Sequence, residues 1–76
     1  MIKMRLNWYI KISGKKYPVC YEKIAEENGG GWECSVPELG RAAYCGWGST
    51  PRNAYKHLCL VVKHLEAINI RGIKNA

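Results

Sequence analysis

The sequence contains no aspartate, and its six acidic residues are all glutamates. Two-metal nuclease chemistry needs clustered carboxylates that hold hard cations. Glu22, Glu33 and Glu38 belong to separate predicted segments, so their spacing does not predict such a cluster. We therefore predict a protein that is not an enzyme and that binds no metal or other cofactor.

A Cys-x-x-Cys pair is also missing from the sequence. Because that spacing marks many structural zinc sites, we interpret the cysteines as reduced, mostly buried small side chains. The cysteines are Cys20, Cys34, Cys45 and Cys59.

Two histidines, His57 and His64, flank the apolar stripe of a predicted helix. We expect structural roles for both, with a metal pair or a proton shuttle as the alternative.

Long apolar runs are absent as well. No stretch approaches the roughly 20 apolar residues of a membrane span, and residues 1–13 lack the apolar core of a signal peptide. We therefore expect a cytoplasmic protein without a membrane segment. A chain of 76 residues makes a single domain, residues 1–76, whose core is marginal by itself.

Positive charge is in excess, with 12 Lys and Arg against 6 acids and a net charge of +6. Such an excess favours anionic partners through long-range steering, although it also serves solubility. Possible nucleic-acid contacts are Lys3, Arg5 and Lys11, which share the polar side of the first predicted strand.

That first strand gives the clearest pattern in the sequence. Apolar and polar residues alternate from Ile2 to Ser13, which predicts a long strand with one buried face and one wet, basic face. Gly14-Lys15-Lys16 predicts a turn, and residues 17–24 predict a second strand that pairs with the first. A sheet edge as long as Ile2–Ser13 invites pairing, so we also expect a homodimer.

Two further strands are predicted in the middle of the chain. Asn28-Gly29 is a favoured hairpin dipeptide and precedes a third strand over residues 31–36. Pro37 to Gly40 then forms a corner before a short fourth strand over residues 41–46. The small residues of that strand predict close packing against another element; they are Ala42, Ala43 and Gly46.

A helix follows. Thr50-Pro51 is typical of a helix start, because threonine caps the first turn and proline gives up only an unused N–H. Asn69 or Gly72 is the predicted helix end. Apolar residues recur at helical spacing and predict one buried stripe, made of Ala54, Leu58, Val61, Val62, Leu65 and Ile68.

Together these elements predict an α+β fold, with an antiparallel sheet of about four strands and one long helix packed on one face. Trp32 and Trp47 are expected in the core. Trp8 is expected on the sheet face, where exposed aromatics beside lysines are able to stack on bases.

Several short segments of the sequence occur in a characteristic order. They are Tyr17-Pro18-Val19, a glycine turn before Trp32, Val36-Pro37-Glu38-Leu39-Gly40, and Gly48 and Thr50 ahead of Ala54. In this order they resemble the HicB antitoxin domain, over about residues 16–68. The resemblance implies a partial RNase-H-like sheet with a packed helix and no catalytic carboxylates. It also implies that the protein acts as HicB proteins do, which neutralise HicA, a small ribonuclease toxin, by covering its active site.

The chain departs from the HicB pattern in four respects. Strand 2–13 is at least partly additional, Arg52-Asn53 stands where the family usually has acids, and the net charge is basic rather than acidic. Many HicB proteins also carry a C-terminal DNA-binding module, and none is expected after Ala76. A solitary domain from a mobile element that inhibits another host defence protein is therefore an alternative.

Two function classes follow. The first is a non-catalytic, protein-binding inhibitor of the HicB type that masks a nucleic-acid-processing partner, such as a HicA-type ribonuclease. The second is a small basic nucleic-acid-binding module that uses the cations of the first strand, Arg41 and the cations of the helix. For the inhibitor, the predicted contact surface is the exposed side of the helix and the adjoining corner, that is Arg41, Arg52, Lys56, Leu60 and Lys63.

Overall fold

The computed structural model of the protein describes residues 7–74, and the side chains of residues 7–68. Five strands precede one helix, which confirms the predicted α+β class. The elements are β1 (Tyr9–Ile12), β2 (Lys15–Pro18), β3 (Cys20–Lys23), β4 (Trp32–Ser35), β5 (Cys45–Gly48) and α1 (Pro51–Lys74), with short 3₁₀ turns at Glu26–Asn28 and Pro37–Leu39.

The strands form two antiparallel sheets rather than the single sheet predicted. β1 pairs with β2, while β3, β4 and β5 form a three-stranded sheet in that order. The predicted second strand, residues 17–24, is divided at Val19, whose N–H donates to the carbonyl oxygen of Trp8 at 2.9 Å. Pro18, which has no N–H to give to a ladder, ends β2.

The β1–β2 hairpin confirms the alternation of β1 and part of the predicted pairing. Of the predicted second strand only Tyr17 and Pro18 pair with β1, and Lys15 and Lys16, predicted in the turn, belong to β2. Ile10 and Ile12 are buried, whereas Tyr9 and Lys11 face water. The turn consists of Ser13 and Gly14, which both have positive φ (52° and 81°), as a two-residue hairpin loop requires. The predicted strand before Asn7 lies outside the described residues, so the homodimer, which depends on that long edge, stays a prediction.

The second hairpin does not turn at Asn28-Gly29 as predicted. A tight turn of that kind needs positive φ at both residues, and among the described residues only Ser13 has positive φ without being glycine. The chain instead makes a 3₁₀ turn at Glu26–Asn28, and three consecutive glycines, Gly29 to Gly31, carry the positive φ values.

β5 begins and ends later in the sequence than predicted, at Cys45–Gly48. The predicted strand was 41–46, but the N–H of Tyr44 donates to the carbonyl oxygen of Gly40 at 2.9 Å and holds residues 41–43 in a turn. Ala42 and Ala43 are consequently exposed, and the prediction that they pack closely was wrong. Gly46 does pack closely against α1, as predicted.

α1 begins as predicted and ends later than predicted. The N–H of Asn53 donates to Oγ1 of Thr50 at 3.2 Å, which is the expected cap. Residues 51–74 are helical, so neither Asn69 nor Gly72 ends the helix; an isolated glycine costs a helix only about 1 kcal/mol. Among the described residues, no helix is both long enough and apolar enough to cross a membrane.

The core lies between α1 and the inner face of the three-stranded sheet, the face on which the helix packs, and apolar residues of β1 and of the link between β2 and β3 complete it. α1 packs mainly on β5 and β4. Ile68, predicted in the apolar stripe, is 49 % exposed. A helix of 24 residues spans roughly 36 Å and a strand of four residues roughly 13 Å, so α1 extends beyond the sheet. The core residues are Ile10, Ile12, Val19, Cys34, Val36, Ala54, Leu58 and Val62.

Candidate partner-binding surface

Four of the five residues predicted to contact a partner lie together on the exposed side of α1. Ala54, Leu58 and Val62 face the sheet and are almost fully buried. A turn of 100° per residue then directs Arg52, Lys56, Leu60 and Lys63 away from the sheet, and all four are exposed. We call these four residues the helix ridge.

The cations of the helix ridge are available to a partner. Both ion pairs found among the side chains of residues 7–68 belong to Arg41. The helix ridge also holds Leu60, which is 65 % exposed and is the most exposed large apolar side chain in that part of the chain. A rigid helix therefore presents an apolar side chain beside three positive charges, a combination suited to a protein contact.

Arg41, the fifth predicted contact, lies elsewhere. Its guanidinium pairs with Glu22 and, at 3.4 Å from Nε to Oε1, with Glu33. These two glutamates are register partners on β3 and β4. Their side chains point to the outer face of the sheet, the face opposite α1, because the neighbouring positions Tyr21 and Cys34 point inward. The structure thus separates Arg41 from the helix ridge.

Trp47 also belongs to the outer face, which corrects its predicted place in the core. It is 51 % exposed and stands beside Glu33 in register. Its neighbours in β5 are Gly46 and Gly48, whose α-hydrogens face α1. A Cβ added at Gly46 would lie 2.3 Å from the backbone N of Leu58, and one at Gly48 would lie 2.5 Å from that of Ala54. Because side chains alternate along a strand, the two inward glycines place the indole outside.

His57 connects α1 to the edge of β5 that lies opposite β4. The N–H of Trp47 donates to Nδ1 of His57 at 2.8 Å. The indole Nε1–H of Trp47 in turn donates to Oε2 of Glu33 at 3.2 Å. His57 therefore has a structural role, as predicted. The sequence did not predict that its partner is the backbone N–H of Trp47. The sequence carries no local signal for this contact, because Trp47 and His57 lie 10 positions apart in different elements.

A shallow cleft of about 710 Å³ opens beside Trp47 on the outer face. Glycine backbone forms much of its wall, and Gly31 approaches β5 so closely that a Cβ there would lie 2.7 Å from the carbonyl oxygen of Gly48. Sequence reasoning did not find this cleft, because the glycines were read only as a turn. The lining residues are Ile24, Asn28, Gly29, Gly30, Gly31, Glu33, Trp47, Gly48 and Ser49.

The predicted nucleic-acid contacts are only partly described. Lys11 lies on the exposed side of β1, whereas Lys3 and Arg5 lie outside the described residues. Two exposed aromatic side chains, Trp8 and Tyr9, precede Lys11, and each is 58 % exposed. Trp8 packs edge-on against Tyr21, with ring centroids 5.4 Å apart.

Two tyrosines bind the N-terminal hairpin to the rest of the fold. The Tyr55 hydroxyl donates to the carbonyl oxygen of Tyr9 at 2.9 Å, and the Tyr21 hydroxyl donates to that of Asn7. Burial is the main reason that the pKa values of both phenols are raised. The hairpin is therefore anchored by groups that stay protonated into the alkaline range.

The cysteines are free thiols, two of them buried. Burial, the largest cause, raises the pKa of the Cys34 thiol from the ordinary 9.0 to about 11, and burial also raises the pKa of Cys45. No group of three or more possible metal ligands occurs among the residues that the structure describes. The absence of a metal stays a prediction.

The raised pKa of Cys34 predicts a loss of stability in alkali. Above about pH 9 the unfolded chain releases the thiol proton while the folded chain keeps it up to about pH 11. The unfolded state then binds fewer protons, so the free energy of unfolding should fall between these pH values, on the order of 2 kcal/mol. Urea denaturation at pH 8, 9.5 and 10.5 measures this fall.

A matched pair of variants assigns the effect to Cys34. Cys34→Ala should be less stable at pH 8 but should lose less stability between pH 8 and 10.5 than the wild type. Cys20→Ala, which removes an exposed thiol, should keep the wild-type pH dependence. An identical slope in both variants would contradict the assignment.

No family model, curated protein or solved structure matches this chain.

Proposed function

We propose that this protein is a non-catalytic, protein-binding inhibitor resembling HicB antitoxins, which masks a nucleic-acid-processing partner such as a HicA-type ribonuclease. The observation that carries the proposal is the helix ridge, in which Leu60 lies exposed among three cations on a rigid element. The HicB-like order of the segments from Tyr17 to Ala54 supports it, as does the packing of one long helix on an antiparallel sheet.

The mechanism is steric. Leu60 inserts into an apolar depression of the partner, and the contact buries the most exposed large apolar side chain among the described residues. Arg52, Lys56 and Lys63 meet an acidic patch at the rim of that depression or occupy the channel that otherwise holds a phosphate backbone. Charges at a rim chiefly raise the association rate.

Charge reversal of the helix ridge tests the proposal. A partner captured from the producing host and identified by mass spectrometry is purified, and its affinity is measured with and without the triple change Arg52→Glu, Lys56→Glu and Lys63→Glu. We expect the complex to weaken about tenfold or more, mainly through slower association. The fold should persist, because exposed helix positions tolerate substitution and glutamate is a good helix former.

A matched control separates local contact from total charge. Lys11→Glu, Lys16→Glu and Lys23→Glu together lower the net charge by the same amount, and all three lysines are exposed outside the helix. This control should bind the partner within about threefold of the wild type. Equal weakening by both triples would refute the helix ridge as the contact surface.

A second candidate is a nucleic-acid-binding module, and the β1–β2 hairpin favours it. Tyr9 and Lys11 share the exposed side of β1, and Tyr9 and the preceding Trp8 are each 58 % exposed, so aromatic rings able to stack on bases occur close in sequence to a positive charge. Affinity for single-stranded oligonucleotides that falls steeply with salt, and falls further in Trp8→Leu, would replace the first proposal with this one.

A further inference from the structure

Trp47 is an exposed side chain that the fold nevertheless holds in place. About half of its surface faces water, yet its backbone N–H bonds to His57 and its indole Nε1–H bonds to Glu33. An exposed indole without such bonds samples several rotamers, and fixing it on binding costs conformational entropy. In this protein the indole is already held in one orientation before binding, so a ligand loses less free energy to ordering it.

The cleft beside Trp47 is acidic, in a protein with a net charge of +6. Among the residues that the structure describes, Glu33 is the only charged one that lines it, and Glu26 and Glu27 lie on the 3₁₀ turn that ends at its rim. The helix ridge cations lie on the side of α1 that faces away from the sheet. Arg41, whose Nε lies 3.4 Å from Oε1 of Glu33, offsets part of this charge, so the acidic character of the cleft comes from Glu33 together with Glu26 and Glu27.

The lining selects a class of ligand. An indole face attracts cations, and a guanidinium stacks on it with its plane parallel to the ring. The Glu33 carboxylate accepts bonds from Trp47 and Arg41 and has further lone pairs for a third donor. None of the described lining residues carries a positive charge to pair with a phosphate, and the Arg41 guanidinium beside Glu33 is already engaged by Glu22 and Glu33. The arrangement matches a cationic side chain much better than a nucleotide.

We propose that the cleft lined by Trp47, Glu33 and the glycines Gly29 to Gly31 binds an arginine side chain of a protein partner. The guanidinium stacks on the Trp47 indole and donates to Glu33 and to glycine carbonyls. The identity of the partner rests on the proposed function, since proteins that handle nucleic acid expose arginines where phosphates bind. The preference of the cleft for arginine does not rest on it.

Titration with a short peptide tests the cleft directly. The probe is acetyl-Gly-Arg-Gly-amide at millimolar concentrations, compared with the same peptide carrying citrulline, which keeps the planar group and removes the charge. Backbone amide and indole NMR signals report the site. We expect saturable shifts at the Trp47 indole, Gly30, Gly31 and Gly48 with the arginine peptide and at least threefold weaker binding of the citrulline peptide.

Variants locate the interaction. Trp47→Leu and Glu33→Gln should each weaken the arginine peptide by about twofold to fivefold. Trp8→Leu and Glu38→Gln remove an exposed indole and an exposed carboxylate elsewhere and should change nothing. Amide spectra show that each variant is folded; Gln at 33 keeps an oxygen that accepts from the indole, so it is the variant expected to preserve the local structure.

Three outcomes overturn the inference. Equal binding of the citrulline peptide removes the role of charge, and unchanged affinity in Trp47→Leu removes the role of the indole. Shifts at the cleft with oligothymidylate but not with the peptide would assign it to nucleic acid. Peptide binding in a protein that inhibits no partner would leave the cleft assignment standing and refute the proposed function.

Discussion

Gly46→Ala should destabilise the protein by about 3 kcal/mol or more, which is most of the stability expected of so small a domain. A Cβ at this position would lie 2.3 Å from the backbone N of Leu58, 2.7 Å from the carbonyl oxygen of Ala54 and 2.8 Å from the carbonyl carbon of His57. These are backbone atoms of a helix and cannot rotate away. α1 must therefore move off β5, and the core between them opens. Chemical denaturation followed by circular dichroism measures the loss.

Gly29→Ala is the matched control for this substitution. Gly29 has a φ of 106° but no atom within 4 Å of an added Cβ, so the change adds backbone strain without a clash. We expect a loss of about 1–2 kcal/mol. If Gly46→Ala cost no more than Gly29→Ala, the close contact between β5 and α1 would be wrong.

Leu58→Ala should lower the free energy of unfolding by about 2–5 kcal/mol. Leu58 is fully buried and sits at the centre of the core that α1 shares with the sheet. Removing its side chain loses apolar burial and leaves a cavity that the backbone contact at Gly46 prevents from closing. Thermal and urea unfolding of the variant measure the effect.

Leu60→Ala on the same helix provides the comparison. Leu60 is 65 % exposed, so its truncation should change stability by no more than about 0.5 kcal/mol. Its effect should instead appear in partner binding, because Leu60 belongs to the helix ridge. Comparable losses of stability in the two variants would show that the sides of α1 are assigned wrongly.

The periodic parts of the sequence predicted the fold well. Alternation at Ile10 and Ile12 gave the buried face of β1, and the 3.6-residue spacing of Ala54, Leu58 and Val62 gave the buried side of α1. Thr50-Pro51 gave the helix start. Each signal is local, because the residues that carry it lie within a few positions of one another.

The remainder depends on contacts between distant residues. The split of the predicted second strand at Val19 is set by its bond to Trp8, and the outward position of Trp47 is set by the two glycines that flank it against α1. Arg41 was placed beside the helix because it follows the corner in sequence. The structure instead draws it to Glu22 and Glu33 on the outer face, an attraction that sequence spacing does not reveal.

For the candidate surface, sequence reasoning found the helix ridge and missed the cleft. Exposed cations on a helix are read directly from the helical wheel. The cleft is assembled from the 3₁₀ turn, three glycines of positive φ, β4 and β5, which converge only in the folded chain.

Titration of the partner's activity tests the central claim, steric inhibition through the helix ridge, most directly. The nucleic-acid-processing protein captured from the host is assayed on its substrate with increasing amounts of this protein. Activity should fall to the baseline at a fixed stoichiometric ratio, without consumption of either protein, and the reversal of Arg52, Lys56 and Lys63 should shift the titration at least tenfold. Full activity of the partner in excess wild-type protein would contradict the account.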